Sequence, residues 1–505
     1  MKRACVIACV VVMISVGCND ETVAPGRDTG GAVDSGAGDA TVSDSKTGDT
    51  SVDSKTADKG KADTGAPDKG ADTQPPDLGP DSCVKTTCTK QGTNCGTIFD
   101  KCGGTLKCGS CTYPATCAGG GKANVCGCAN KWQTTAVDTV GSVGQWTSLA
   151  VDSAGALHVA YYDPTAKDLK YASRPLGQSW STGKVDTTGD VGQYASLALG
   201  SKGSVHVAYT DLTNKALKHA SMASGSKKWT TEIVHKPPFT TAAHGQSLGA
   251  APSLYVDAKG GLHVSYDYWS KGTKYGRGSH DVVYISRAAG ATAWGKPQLA
   301  DTNAGNNGLG SSTSLVMDSA GGALITYGRH SCNTYCTAAS QTGSLVLVKK
   351  PAAGTWTNAV ADTSATVVGG YSSMVRDATG ALHVSHYDVT NGDLRYSSLA
   401  SGSKVWSNSK VDSAGDVGQF TSLAVDSVGT LYVAYYDKTN TALKFATKKI
   451  GGAWSLATVD AKNSVGQYAS IALERSKANK VIGVHITYYD ATSQDLRHAY
   501  LPSCP

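Results

Sequence analysis

The chain is 505 residues long, with a formal net charge of +6, 17% charged and 40% hydrophobic residues. The charge is modest and Lys and Arg are scattered, without a basic helix or a nucleic-acid fold, which argues against a nucleic-acid partner. Beyond the amino terminus no segment is apolar enough to span a bilayer as a helix.

Residues 1–17 read as an export signal. Lys2 and Arg3 form a basic start, and Ala4 to Val16 are almost wholly apolar, too short a run to cross a membrane and suited to cleavage. The segment ends in "SVGC", which resembles the lipobox of bacterial lipoproteins. The resemblance implies cleavage before Cys18, acylation of Cys18 and anchoring to the bacterial cell envelope. The outer membrane is the expected location, and plain secretion is the alternative.

Residues 18–82 hold no aromatic residue and few large aliphatics. Such a stretch buries too little apolar surface to offset chain entropy, so a disordered, Asp-rich linker is expected. Residues 83–128 form a cysteine-rich module. Eight cysteines crowd into 83–126: Cys83, Cys88, Cys95, Cys102, Cys108, Cys111, Cys117 and Cys126. Export and the even count point to disulfides. Zinc is the rival, because Cys108-x-x-Cys111 has ligand spacing. The module and its leader resemble those of surface lipoproteins of Gram-negative bacteria, which implies location and not activity.

From residue 129 the chain repeats itself. "VGQWTSLAVDSAGALHVAYYD" (143–163) returns as "VGQYASLALGSKGSVHVAYTD" (191–211) and "VGQFTSLAVDSVGTLYVAYYD" (417–437). Trp132, Trp180, Trp229, Trp294, Trp356, Trp406 and Trp454 set the beat, with most gaps of 48–50 residues and two longer. A period of this size marks solenoids or propellers. Each unit reads as four short strands, with turns such as "DSAG" whose Gly suits a hairpin. Strands rich in apolar residues on both faces suit blades packed between neighbours. Seven "SLAVD"-type strands begin near Ser148, Ser196, Ser253, Ser314, Ser373, Ser422 and Ser470. The fold class is therefore all-β, a seven-bladed propeller over 129–505. The orphan strand "WQTTAVD" (132–138) is expected to complete the last blade. Cys128 and Cys504 flank that closure, and a disulfide between them is expected. The pattern resembles bacterial propellers of the sialidase-like (BNR-repeat) type and propeller lectins.

Two loop sets are expected at one mouth of the channel. The repeated Gly-Gln-aromatic and Asp-x-Thr residues there have a structural reading, as turn caps and wedges between blades. They also have a functional one, as a ring of shallow pockets for a repetitive ligand. The third and fourth units carry the extra residues: 235–251, 267–281, 300–312 and 328–343. Long loops on a rigid scaffold concentrate binding residues. Tyr268, Trp269, Tyr275, Arg277, His280, Arg329, His330 and Tyr335 are the candidate ligand-binding residues, with Cys332 and Cys336 able to staple one loop. A glycan or surface polymer is the expected ligand. A polysaccharide hydrolase or lyase of sialidase-like architecture, and a protein-interaction scaffold, are the alternatives. A sialidase-like site wants an arginine triad; Arg277, Arg329 and Arg376 are available, but nothing in their spacing selects them. No paired carboxylates, metal-binding helix or phosphate loop stands out, so no catalytic residue, metal or cofactor is assigned.

Overall fold

The computed structural model describes residues 83–236, 248–271, 278–302, 311–332 and 341–503. The first blade comprises Gln145–Val151, Leu157–Asp163, Asp168–Arg174 and Ser181–Asp186, hydrogen-bonded in that order. Five more four-stranded antiparallel sheets follow in chain order. The seventh takes Val465–Arg475, Val481–Asp490 and Asp495–Pro502 from the carboxyl-terminal part, and Gln133–Asp138 as its outer strand. The amino-terminal strand thus closes the last blade and covers an edge that would otherwise stay unpaired. Each blade's first strand packs against the first strand of the next, and the seventh packs against the first.

The repeated residues explain this closure. The Ser hydroxyl of each "SLAVD"-type strand accepts a backbone N–H from the neighbouring blade. Leu197 donates to Ser148, Leu254 to Ser196, Leu315 to Ser253, Met374 to Ser314, Leu423 to Ser373, Ile471 to Ser422 and Leu149 to Ser470, all at 2.9–3.1 Å. That makes a full circle. The Trp beat is a second circle, further out. Trp229 packs edge-on against Tyr171, Trp294 against His219, Trp356 against Tyr284, Trp454 against Tyr396, Trp132 against Phe445 and Trp180 against His498. Trp406 joins the core cluster of Leu347 and Val384. In the six ring pairs the indole stands at or shortly before the start of an outer strand and covers the third strand of the preceding blade.

The turns follow the same logic. Asp152 Oδ1 accepts from the N–H groups of Ala154 (2.9 Å) and Ala156 (2.8 Å), while Gly155 takes φ +82°. Asp257, Asp318, Asp377 and Asp426 cap their turns in the same way. These turns lie at one end of the strands. The connections from second to third strand, and from one blade to the next, lie at the other.

In the cysteine-rich module, disulfides join Cys88–Cys108, Cys95–Cys117 and Cys111–Cys126, and Cys83, Cys102 and Cys128 are disulfide-bonded as well. The sulfurs of Cys95, Cys111 and Cys126 lie within 4.8 Å of one another, as ligands would, but disulfides occupy all three. This corrects the zinc alternative. Cys504 and Cys336 lie outside the described residues, as do Cys18 and the linker through residue 82.

Candidate functional site

The mouth with the blade-to-blade connections holds both sets of residues that the repeat made candidates. Most of the Asp-x-Thr set is engaged in scaffold contacts. Thr165, Thr213, Thr390, Thr439 and Thr492 each accept a backbone N–H from the adjoining blade connection, at 2.7–3.0 Å. Asp163, Asp211, Asp388 and Asp437 cap their own turns. The Gly of Gly-Gln-aromatic sits where blades touch most closely. A Cβ on Gly192 would meet Leu169 Cα at 2.7 Å, and one on Gly418 would meet Leu394 Cα at 2.7 Å.

The aromatic member behaves differently. Trp146, Tyr194, Tyr371, Phe420 and Tyr468 lie in a bulge of the inner strand, in left-handed conformation with φ of 49–56°. Such a backbone is rare for bulky residues and costs about 1–3 kcal/mol at each position. The five rings pack side by side around the axis, and each is half-buried. Burial pushes the Tyr371 hydroxyl up to about 12 and raises those of Tyr194 and Tyr468 as well. In blades three and four the same bulge position is Ala251 and Ser312, also left-handed, with φ of 51° and 53°.

Blades three and four break a second register. In blade one the Tyr161 hydroxyl and Lys170 Nζ both bond Asp138 Oδ2, at 2.6 Å each, and Lys170 lies 3.7 Å from Asp163. Tyr209, Lys218 and Asp186 repeat this in blade two, and Tyr435, Lys444 and Asp412 in blade six. Arg395 and Arg497 supply the cation in blades five and seven. Burial alone would raise the carboxyl groups of Asp138, Asp186 and Asp412. Hydrogen bonds from Lys and Tyr outweigh it and hold them below the usual range. In blades three and four the Lys position holds Val283 and Val346, opposite Tyr266 and Tyr327. Blade four compensates from another strand: Arg329 bonds both Asp301 and the Tyr327 hydroxyl.

The structure places the candidate residues as follows. Stretches read as loops continue the ladder of second and third strands, to Lys271 and from Gly278 in blade three, and to Cys332 and from Gln341 in blade four. Tyr268 is half-buried against the blade-three core. Trp269 and His280 are backbone partners in register across the extended hairpin. Arg329 and His330 stand on a strand, not in a loop. His330 is only 5% exposed and lies beside Gly343 and Val367, and burial pushes its imidazole down to about 4. Tyr275, Arg277 and Tyr335 lie outside the described residues. Arg376 sits at the far end of its inner strand and lines the opposite end of the channel, so Arg329 and Arg376 do not converge as two members of a triad. Next to Arg329 is a cavity of about 370 Å³, walled by Thr342, Gly343, Ser344, Thr363, Ala365 and Thr366. Sequence reading missed this cavity and the ring of Asp–Lys couples. Aligning Lys170, Lys218 and Lys444 with Val283 and Val346 was the available signal.

No protein-family model and no curated protein matches the chain. Among solved structures, an ulvan lyase of polysaccharide lyase family PL25 is similar over 72% of this chain and 95% of its own, at 13% identity and a TM-score of 0.49. An α-L-arabinofuranosidase from Fusarium graminearum covers 74% and 98%, at 11% identity and 0.44. The Hadza microbial sialidase Hz136 covers 70% and 74%, at 11% identity and 0.44.

Proposed function

We propose that the chain is an exported binding protein that recognises a glycan or another surface polymer at the propeller mouth over blades three and four. One observation carries the reading. These two blades carry the insertions, and the same two lack the axial ring and the third-strand Lys or Arg that the other five blades hold. A scaffold that departs from its own rule at two registers, both beside extended strands, has been shaped there for something other than closure. Tyr268, Trp269, Tyr275, Arg277, His280, Arg329 and Tyr335 form the contact set, and His330 supports it from within the strand. Aromatic faces with Thr and Ser hydroxyls and a guanidinium suit the apolar and hydroxyl faces of a sugar. Tyr327–Asp301–Arg329 has the look of a reactive group, but its geometry repeats the structural Tyr–Asp–Lys sets of other blades, so no catalytic role rests on it.

The test is a glycan array with the purified chain, followed by titration of any hit. Saturable binding without product is the expected result. Release of shortened or unsaturated sugar would replace this reading with a hydrolase or lyase. A co-purifying protein without any glycan signal would replace it with a scaffold. The proposal includes a lipid anchor at Cys18, and Cys18→Ser is expected to release the chain from the membrane fraction.

A further inference from the structure

Seven bulge positions surround the propeller axis, one per blade: Trp146, Tyr194, Ala251, Ser312, Tyr371, Phe420 and Tyr468. Ring centroids run Tyr371 to Phe420 at 4.7 Å, Phe420 to Tyr468 at 4.6 Å, Tyr468 to Trp146 at 5.1 Å and Trp146 to Tyr194 at 4.9 Å. Among the described residues no ring contact joins Tyr194 to Tyr371. The arc is therefore open on one side, across Ala251 and Ser312, both of which are partly exposed. Rings serving only to fill the axis would have no reason to be missing from two adjacent blades, and these are the two that carry the insertions.

We propose that this notch, between Tyr194 and Tyr371, seats the terminal residue of a glycan chain. The inference rests on the glycan reading above and narrows it to a place and a substrate class. Two tyrosines flank a floor of Ala and Ser, a shape that accepts one pyranose ring with its C–H face against an aromatic face. The Ser312 hydroxyl already accepts the Ser372 N–H at 3.1 Å, so the floor is held in position before any ligand arrives. The remaining rings close the other sides of the axis. In this proposal the sugar enters from the mouth side and stops against the packed rings, a seat that an end residue fits and an internal residue, with a linkage on each side, does not.

The experiment puts the missing ring back. Ala251→Tyr in the full chain should fold, because Ala251 has the backbone conformation that Tyr194 adopts (φ 51° against 56°). Its melting temperature should match or exceed the parent's. Its affinity for the oligosaccharide bound by the parent should fall at least tenfold. Ala251→Leu, which fills less, should give an intermediate loss, and serves if the tyrosine variant misfolds. At equal molarity of chains, a short oligosaccharide and a long polymer of the same sugar should bind the parent alike. Parent binding that Ala251→Tyr and Ala251→Leu leave unchanged would overturn the notch while the glycan reading stands. Affinity that rises in proportion to chain length would overturn end recognition. A parent that binds no glycan would remove both.

Discussion

At the scale of single residues, the strands bury Asp, Lys, Arg, Glu and His side chains among the apolar ones. Several histidines sit on strands, and burial holds them neutral. His206 and His330 are each pushed down to about 4. A histidine with a folded pKa below its unfolded value takes up a proton on unfolding. Its contribution is full above pH 6.5, and it is lost as pH falls from 6.5 toward 4. Asp138, Asp186 and Asp412 act in the same direction at lower pH, because their folded pKa values lie below 3.8. Thermal or chemical unfolding should therefore show a first loss of stability between pH 6.5 and 4, and a second below it. His330→Leu tests the first step. Removing this buried imidazole should flatten the profile and stabilise the variant relative to the parent by about 1–2 kcal/mol more at pH 5 than at pH 7. A variant whose pH profile overlays the parent's would show that His330 is not held neutral by the fold.

At the scale of elements, the contact that matters is blade against blade. Gly418 approaches the Leu394 backbone so closely that an added Cβ would lie 2.7 Å from Leu394 Cα, and its φ is +106°. Neither strand has room to retreat, because each is paired on its own sheet. Gly418→Ala should cost about 3 kcal/mol in denaturant unfolding, combining overpacking with backbone strain. Gly177→Ala is the control: its φ is +74° but nothing lies within 4 Å, so about 1 kcal/mol is expected. Equal effects would mean that the close approach carries no energetic weight. These elements were readable in the sequence because seven units meet nearly the same surroundings, and repetition made their turns, strands and Trp spacing stand out. What was not readable depends on contacts between blades. The role of Ser148 and its equivalents needs the neighbouring backbone N–H, and the Lys170–Asp138 couple joins residues of different sheets. The left-handed bulge under Tyr194 leaves no mark in residue type, since aromatic side chains rarely adopt it. The insertions were visible as extra length, but their continuation as strands was not.

At the scale of the whole molecule, the cysteine-rich module and the candidate site occupy opposite ends of the propeller. The Tyr113 hydroxyl donates to Glu474 Oε2 at 2.7 Å and lies 3.0 Å from the Tyr500 hydroxyl. Glu474 is at the far end of the seventh inner strand, beside the Gly155 turn. This is the end away from the extended strands of blades three and four, so the module leaves the proposed mouth uncovered. Glu474 is almost fully buried, with His485 Nε2 3.2 Å from the same oxygen, which makes the tyrosine a partner that water replaces poorly. Tyr113→Phe keeps the ring and removes only the donor. It should lower the stability of the chain by about 1–2 kcal/mol. It should also speed proteolytic cleavage between residues 128 and 133, because a loosened module exposes the segment that joins it to the closing strand. Ligand affinity at the mouth should not change, since that site lies at the other end of the strands. Cleavage and stability equal to the parent's would show that the module is held by its remaining contacts; a change in affinity would show that the two ends of the propeller are coupled.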